Sequence, residues 1–169
     1  LIHATFGMDK AAVIAAIATD FDIKAADISE GVNTVERTEL LTVLVPDLLE
    51  GGGTAQVSYI FGYESKTLIQ IGASWNATID AVTNDKDLVA NGEVLSNHFQ
   101  KGNYAPNSVT TPTTVANGVL LFRGLDTEGR SAILLLQGIF EKVTDGTDAL
   151  RPMGLALLYS ADPDSPDIF

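Results

Sequence analysis

The fold is decided by residues 56–75, which read QVSYIFGYESKTLIQIGASW. In the first part, polar residues separate the three large side chains Val57, Tyr59 and Phe61. The second part alternates in the same way and aligns Ile69, Ile71, Ala73 and Trp75. Such alternation is typical of a strand with one buried face, as antiparallel sheets allow. Residues 62–66 lie between the two parts, so the stretch predicts a β-hairpin.

Two helices and four further strands are predicted around this hairpin. Asp9 is placed to cap a helix over residues 10–19, and a second helix is predicted over residues 85–100, interrupted by Asn91-Gly92. The other strands are predicted at 39–45, 119–123, 132–141 and 153–160. The order α-β-β-β-α-β-β-β predicts an α+β fold with one antiparallel sheet and both helices on one face. The opposite face, the open sheet face, would then be left uncovered.

The two halves of the chain are similar in order and in one turn. Residues 62–66 and 124–130 both contain a glycine, an acid, a hydroxyl and a base before a returning strand. We therefore predict a single domain over 1–169 with two pseudo-repeats, about 1–76 and 77–160, followed by an irregular acidic tail. The two turns are expected to occupy equivalent places in the repeats.

The charge of the chain excludes some partners. It has 10 Lys and Arg against 22 Asp and Glu, a net charge of −12. Such a surface repels nucleic acid and anionic lipid, so neither is predicted as a partner. No apolar run reaches the roughly 20 residues of a transmembrane helix, so no such segment is predicted.

Cysteine is absent, which removes disulfides and thiolate chemistry from consideration. The sequence starts at Leu1 without an initiator Met. A chain from which a signal peptide has been removed would start in this way, and so would a fragment cleaved from a tag. We favour an exported bacterial protein, periplasmic or secreted.

No motif predicts catalysis, a metal or a cofactor. The histidines are His3 and His98, and neither has a second ligand at metal-binding spacing. Residues 72–76 lack the closing glycine of a nucleophile elbow. We therefore predict no catalytic residue, no metal ligand and no cofactor, and an enzyme is the less favoured class.

The candidate binding residues are aromatic. On strands such residues are usually core, but on an open sheet face they could anchor a protein partner or a small ligand. The candidates are Tyr59, Tyr63, Trp75 and Tyr159.

Residues 6–9, Phe-Gly-Met-Asp, precede the first helix. With tandem units of a helix and three strands, this step resembles β-lactamase inhibitory proteins and the small outer-membrane lipoproteins of the SmpA/OmlA class. Segments 57–63 and 159–163 are also similar to uncharacterised exported bacterial proteins, a resemblance that implies no activity. The chain departs from these patterns because it has no disulfide pair, no lipoprotein cysteine, and Asp9 instead of a hydroxyl cap.

Two function classes follow from these features. The first is a non-enzymatic exported interaction or binding protein that uses the open sheet face. The alternative is a small-molecule-binding or hydrolytic domain, with a polar site at the hairpin ends formed by Glu64, Asp126, Arg130 and a tyrosine.

The apolar run around Leu135 further predicts a strand buried on both faces, in which Leu135→Ala would cost about 2–5 kcal/mol.

Overall fold

A computed structural model of the chain describes residues 3–110 and 112–169, which form one eight-stranded antiparallel sheet with two helices on one face. The α+β prediction is confirmed. The helices are α1 (Lys10–Phe21) and α2 (Asp85–Gln100). The strands are β1 (Ser29–Asn33), β2 (Thr38–Val45), β3 (Ala55–Phe61), β4 (Leu68–Asn76), β5 (Thr113–Val115), β6 (Gly118–Leu125), β7 (Ser131–Lys142) and β8 (Asp148–Ser160). Their order in the sheet is β1-β2-β3-β4-β8-β7-β6-β5.

Each helix is followed by four strands, where the sequence predicted three. The additional strands β1 and β5 are the two edges of the sheet, and their side chains are largely exposed. They are short, and Gly31 and the threonines of β5 supply little of the alternating apolar pattern that marks a buried strand. An edge strand that buries few side chains shows little of the alternating apolar pattern by which a strand is recognised in a sequence.

The four strands that follow each helix lie in chain order from one edge of the sheet to its centre, where β4 pairs with β8. The order is therefore the same from either edge when the strands are counted within each half. In this arrangement the β3–β4 turn corresponds to the β7–β8 turn, and the β6–β7 turn corresponds to the β2–β3 connection. The predicted equivalence of the turns at 62–66 and 124–130 is therefore wrong. Both turns contain residues that tight turns favour anyway, which explains their similarity.

Local contacts fix both helices. Asp9 accepts a 2.9 Å hydrogen bond from the backbone of Ala12, and α1 ends at Asp22 with φ 54°. Asn84 and Asp87 form a capping box at the start of α2. Buried Asn91 donates a 2.9 Å hydrogen bond to the carbonyl of Gly52, which ties α2 to the β2–β3 connection. No helix in the described ranges is long and apolar enough to cross a membrane.

The core lies between the helices and one face of the sheet. Alternate residues of β2, β3 and β4 enter it, as the sequence predicts for Val57, Phe61, Ala73 and Trp75. The hairpin differs at one point, because a register shift after Ile60 pairs Phe61 with Leu68. Leu68 is consequently buried instead of Ile69, which is half-buried.

Strand β7 is interior, but it is covered on one face alone. Leu134 is completely buried, whereas its neighbour Leu135 points to the other face and is half-buried. Ile139, further along the strand, is 47% exposed. The prediction of a strand buried on both faces is wrong, since a continuous apolar run does not reveal how many layers cover it.

Candidate functional site

Two of the four candidate aromatics lie in the core. Tyr59 on β3 and Trp75 on β4 are completely buried beneath the helices. Neither residue therefore lies on the open sheet face, where it could have anchored a partner. Burial raises the pKa of the Tyr59 hydroxyl, with a smaller contribution from the charge of Asp20. Neither the Tyr59 hydroxyl nor the Trp75 Nε1 has a hydrogen-bond partner among the described residues.

The other two aromatics are half-buried and lie apart from each other. Tyr159 on β8 packs edge-on against Phe99 of α2, with 5.9 Å between ring centroids. Burial raises the pKa of its hydroxyl to about 12. Tyr63 follows β3 and contacts Phe169 of the C-terminal tail, with centroids 5.4 Å apart. The structure thus brings Tyr59, Trp75 and Tyr159 to the helix-covered face and leaves Tyr63 at the end of the sheet.

A groove of about 950 Å³ lies between the two helices, above the central strands β4 and β8. Its floor is apolar, and Ala73 lies in the middle, where β4 pairs with Leu157 of β8. Trp75 and Tyr159 lie toward opposite ends of the floor, four residues apart along the paired strands. This separation corresponds to about 13 Å of strand.

The groove walls come from both helices and from one connection. The end of α1 contributes Thr19–Asp22, the segment after β2 contributes residues 45–49, and α2 contributes Val94, Leu95 and His98. The charged side chains of the lining are Asp20, Asp22 and Asp47, and no Lys or Arg is among the lining residues. Asp20 has no exposed side-chain area, because its carboxylate accepts the backbone N–H of His3 at 2.8 Å and contacts the His3 imidazole.

Sequence reasoning did not identify this groove. Val94 and His98 are four residues apart on α2 and therefore share a helix face, which is a signal that was present in the sequence. The distance between two helices on one sheet face has no comparable signal. The role of Ala73 as a small floor residue depends on that distance.

The polar site expected at the hairpin ends is an exposed ion-pair cluster. The Arg130 guanidinium bonds the Asp126 carboxylate at 2.7 Å and the Glu128 carboxylate at 2.7 Å. Bonds from Arg130 and from the Glu128 backbone lower the pKa of Asp126 against the opposing effect of desolvation. Nothing in the described parts of the chain joins Glu64 to this pair. The arrangement is that of a stabilised turn.

The open sheet face consists of three rows of six residues that lie opposite one another across β2, β3, β4, β8, β7 and β6. The first row is Leu40, Ile60, Gln70, Ser160, Ser131 and Leu125. The second is Thr42, Ser58, Gly72, Leu158, Ile133 and Arg123. The third is Leu44, Gln56, Ser74, Ala156, Leu135 and Leu120. Ser131 and Ser160 in the first row are buried, and Arg123 is the one charged residue among the eighteen positions.

Within residues 3–110 and 112–169, no group of three or more His, Asp or Glu side chains is placed to hold a metal ion. The chain matches no protein-family model, no curated protein and no solved structure. The resemblance to β-lactamase inhibitory proteins and SmpA/OmlA-class lipoproteins, and the exported location, therefore stay predictions.

Proposed function

We propose that this chain is a non-enzymatic binding protein that docks a protein partner on its open sheet face. The distribution of charge carries the proposal. Charged residues make up 19% of the chain, and they are concentrated on surfaces in most proteins. One charge among the sixteen of these positions that reach the surface is below that share, and depletion of charge is the compositional mark of an interface core.

The positions of large and small side chains on the open sheet face favour another sheet as the binding partner. One apolar patch contains Leu40, Leu44 and Ile60, and a second contains Leu120, Ile133, Leu135 and Leu158. Gly72 and Ser74 of β4 and Ala156 of β8 form a lane of small residues between the patches, and Leu158 of β8 borders this lane. Sheets that pack face to face interdigitate their side chains about 10 Å apart. Two such faces would therefore set patch against patch and lane against lane.

The partner that we infer is a second copy of the chain. Because the strand order is the same from either edge, the face offers a patch, a lane and a patch to an identical face turned about a two-fold axis. The six strands of the face span about 29 Å and the three rows span about 20 Å, a footprint of about 600 Å². Specific interfaces bury from about 600 Å² on each partner, so the face has the size of a small interface.

The overall charge of −12 does not prevent such pairing. Acidic side chains lie outside the eighteen positions of the face, and exposed charges more than about 8 Å apart are largely screened at physiological ionic strength. Pairing is therefore expected to strengthen as salt is raised.

Sedimentation velocity of two variants tests the proposal. Leu158→Glu places a charge at the centre of the face, and Val82→Glu places the same charge at an apolar residue that is 79% exposed outside the face. The dimer population of Leu158→Glu is expected to fall at least about tenfold, because an unpaired charge would be desolvated. Equal sedimentation of the two variants, or a wild-type chain that is monomeric at high concentration and salt, would contradict it.

A further inference from the structure

We propose that the groove between α1 and α2 binds a small apolar molecule that carries a cationic ammonium group. This site is on the face opposite the proposed interface and does not depend on it. The two proposals can therefore fail separately.

The size and floor of the groove suit a small amphiphile. Its volume of about 950 Å³ lies within the range of ligand pockets, roughly 300–1,000 Å³. Ile71, Ala73 and Leu157 form a continuous apolar floor, and each is less than 9% exposed. A chain of about eight carbons matches the 13 Å between the ends of this floor.

The walls leave apolar surface uncovered at the mouth of the groove. Val94 on α2 is 57% exposed, and Leu48 and Leu49 on the facing segment are half-buried. Apolar side chains on two facing walls would close over an apolar ligand and be removed from water with it.

Charge selects the head group of the ligand. Asp22 and Asp47 are exposed at the mouth, and the lining contains no Lys or Arg that could pair with an anion. The carboxylate of an anionic ligand would be repelled, whereas an ammonium group would be attracted. Tyr159 lies at one end of the floor and offers an aromatic ring, which is a favourable contact for a quaternary ammonium.

The chain carries its own reporter for binding. Trp75 is the single tryptophan of the sequence and lies at the groove floor. Octyltrimethylammonium and octanoate, which have tails of similar length and opposite charge, are the probes. Their binding is measured below micelle concentrations by Trp75 fluorescence and by calorimetry at pH 8.

Octyltrimethylammonium is expected to bind at least about fivefold more tightly than octanoate. The double variant Asp22→Asn and Asp47→Asn should remove this preference. Asparagine tolerates the left-handed backbone of both positions, where φ is 54° and 53°. The control is Asp164→Asn, which removes one exposed charge from the tail and should leave the preference intact.

Ala73→Leu fills the floor and should abolish binding of both probes. Ala90→Leu adds the same volume at an exposed position of α2 outside the groove lining, and should leave binding unchanged. Val94→Lys is a second test in case Ala73→Leu does not fold. Val94 is largely exposed, so its substitution should not prevent folding. It should weaken cation binding and strengthen octanoate binding.

Absence of octyltrimethylammonium binding would overturn the proposal. So would equal affinity for the two probes, or binding that Ala73→Leu or Val94→Lys leaves unchanged. Loss of self-association in Leu158→Glu has no bearing on these outcomes.

Discussion

At the scale of single residues, alternation identified which side chains share a face. It aligned Val57 with Tyr59 and Ala73 with Trp75, and the structure confirms these pairs as core. The pattern could not say which face the helices cover, so it left open whether Tyr59 and Trp75 are core residues or lie on the open sheet face. It also could not anticipate the register shift that buries Leu68, because a bulge depends on the pairing of two strands.

Leu134 and Leu135 give a residue-scale prediction. Leu134→Ala should lower the free energy of unfolding by about 2–5 kcal/mol, since the side chain is completely buried. Leu135→Ala should cost about 1 kcal/mol or less, because its side chain is already in partial contact with water. Urea unfolding at protein concentrations low enough to dissociate dimers measures both. If the two substitutions lowered the free energy of unfolding equally, the open sheet face would have to be covered by another part of the same chain.

At the scale of elements, both helices and the six longer strands were predictable, since each combines a clear periodicity with a cap or a turn. The edge strands β1 and β5 were not, because little of either is buried.

The C-terminal tail was expected to be irregular, and in the structure it makes long-range contacts. Asp167 accepts the backbone N–H groups of Glu64 and Ser65 at 3.0 and 2.9 Å, and Arg37 lies over the Phe169 ring at 3.7 Å.

The tail should release from the β3–β4 turn in acid. The backbone bonds from Glu64 and Ser65 lower the pKa of Asp167 from its ordinary value of 3.8. A carboxyl with a lowered folded pKa stabilises the docked tail above the ordinary value, and this stabilisation is lost as pH falls through the folded pKa. Amide chemical shifts of Glu64 and Ser65 should therefore change together below pH 3.8.

Two variants separate this contact from the charge of the tail. Asp167→Ala should produce the released amide shifts at neutral pH, whereas Asp164→Ala removes a charge without a turn contact and should not. A methyl group at Gly62 would clash with the Asp167 carboxylate, so Gly62→Ala should resemble Asp167→Ala. Unchanged shifts in Asp167→Ala would rule out the tail as a cap for this turn.

At the scale of the whole molecule, the sequence predicted one sheet with two helices on one face. It did not predict that β4 and β8 meet at the centre, because strand order is set by long-range pairing. That order assembles the charge-depleted face from two groups of three strands that are distant in sequence, and it places the groove above the central pair. Neither surface could be recognised from a local pattern, although every residue in both was visible in the sequence.

Cross-linking at the centre of the open face tests the central claim most directly. The chain has no cysteine, so Ser74→Cys introduces a unique thiol in the lane, and Val82→Cys introduces one outside the face. If two sheets pack face to face about 10 Å apart, a bismaleimide of that length should join two Ser74→Cys chains into a species of twice 17.9 kDa. Val82→Cys should stay at single mass. The account would be contradicted if Ser74→Cys reacted with the reagent as fast as Val82→Cys but no two chains were joined.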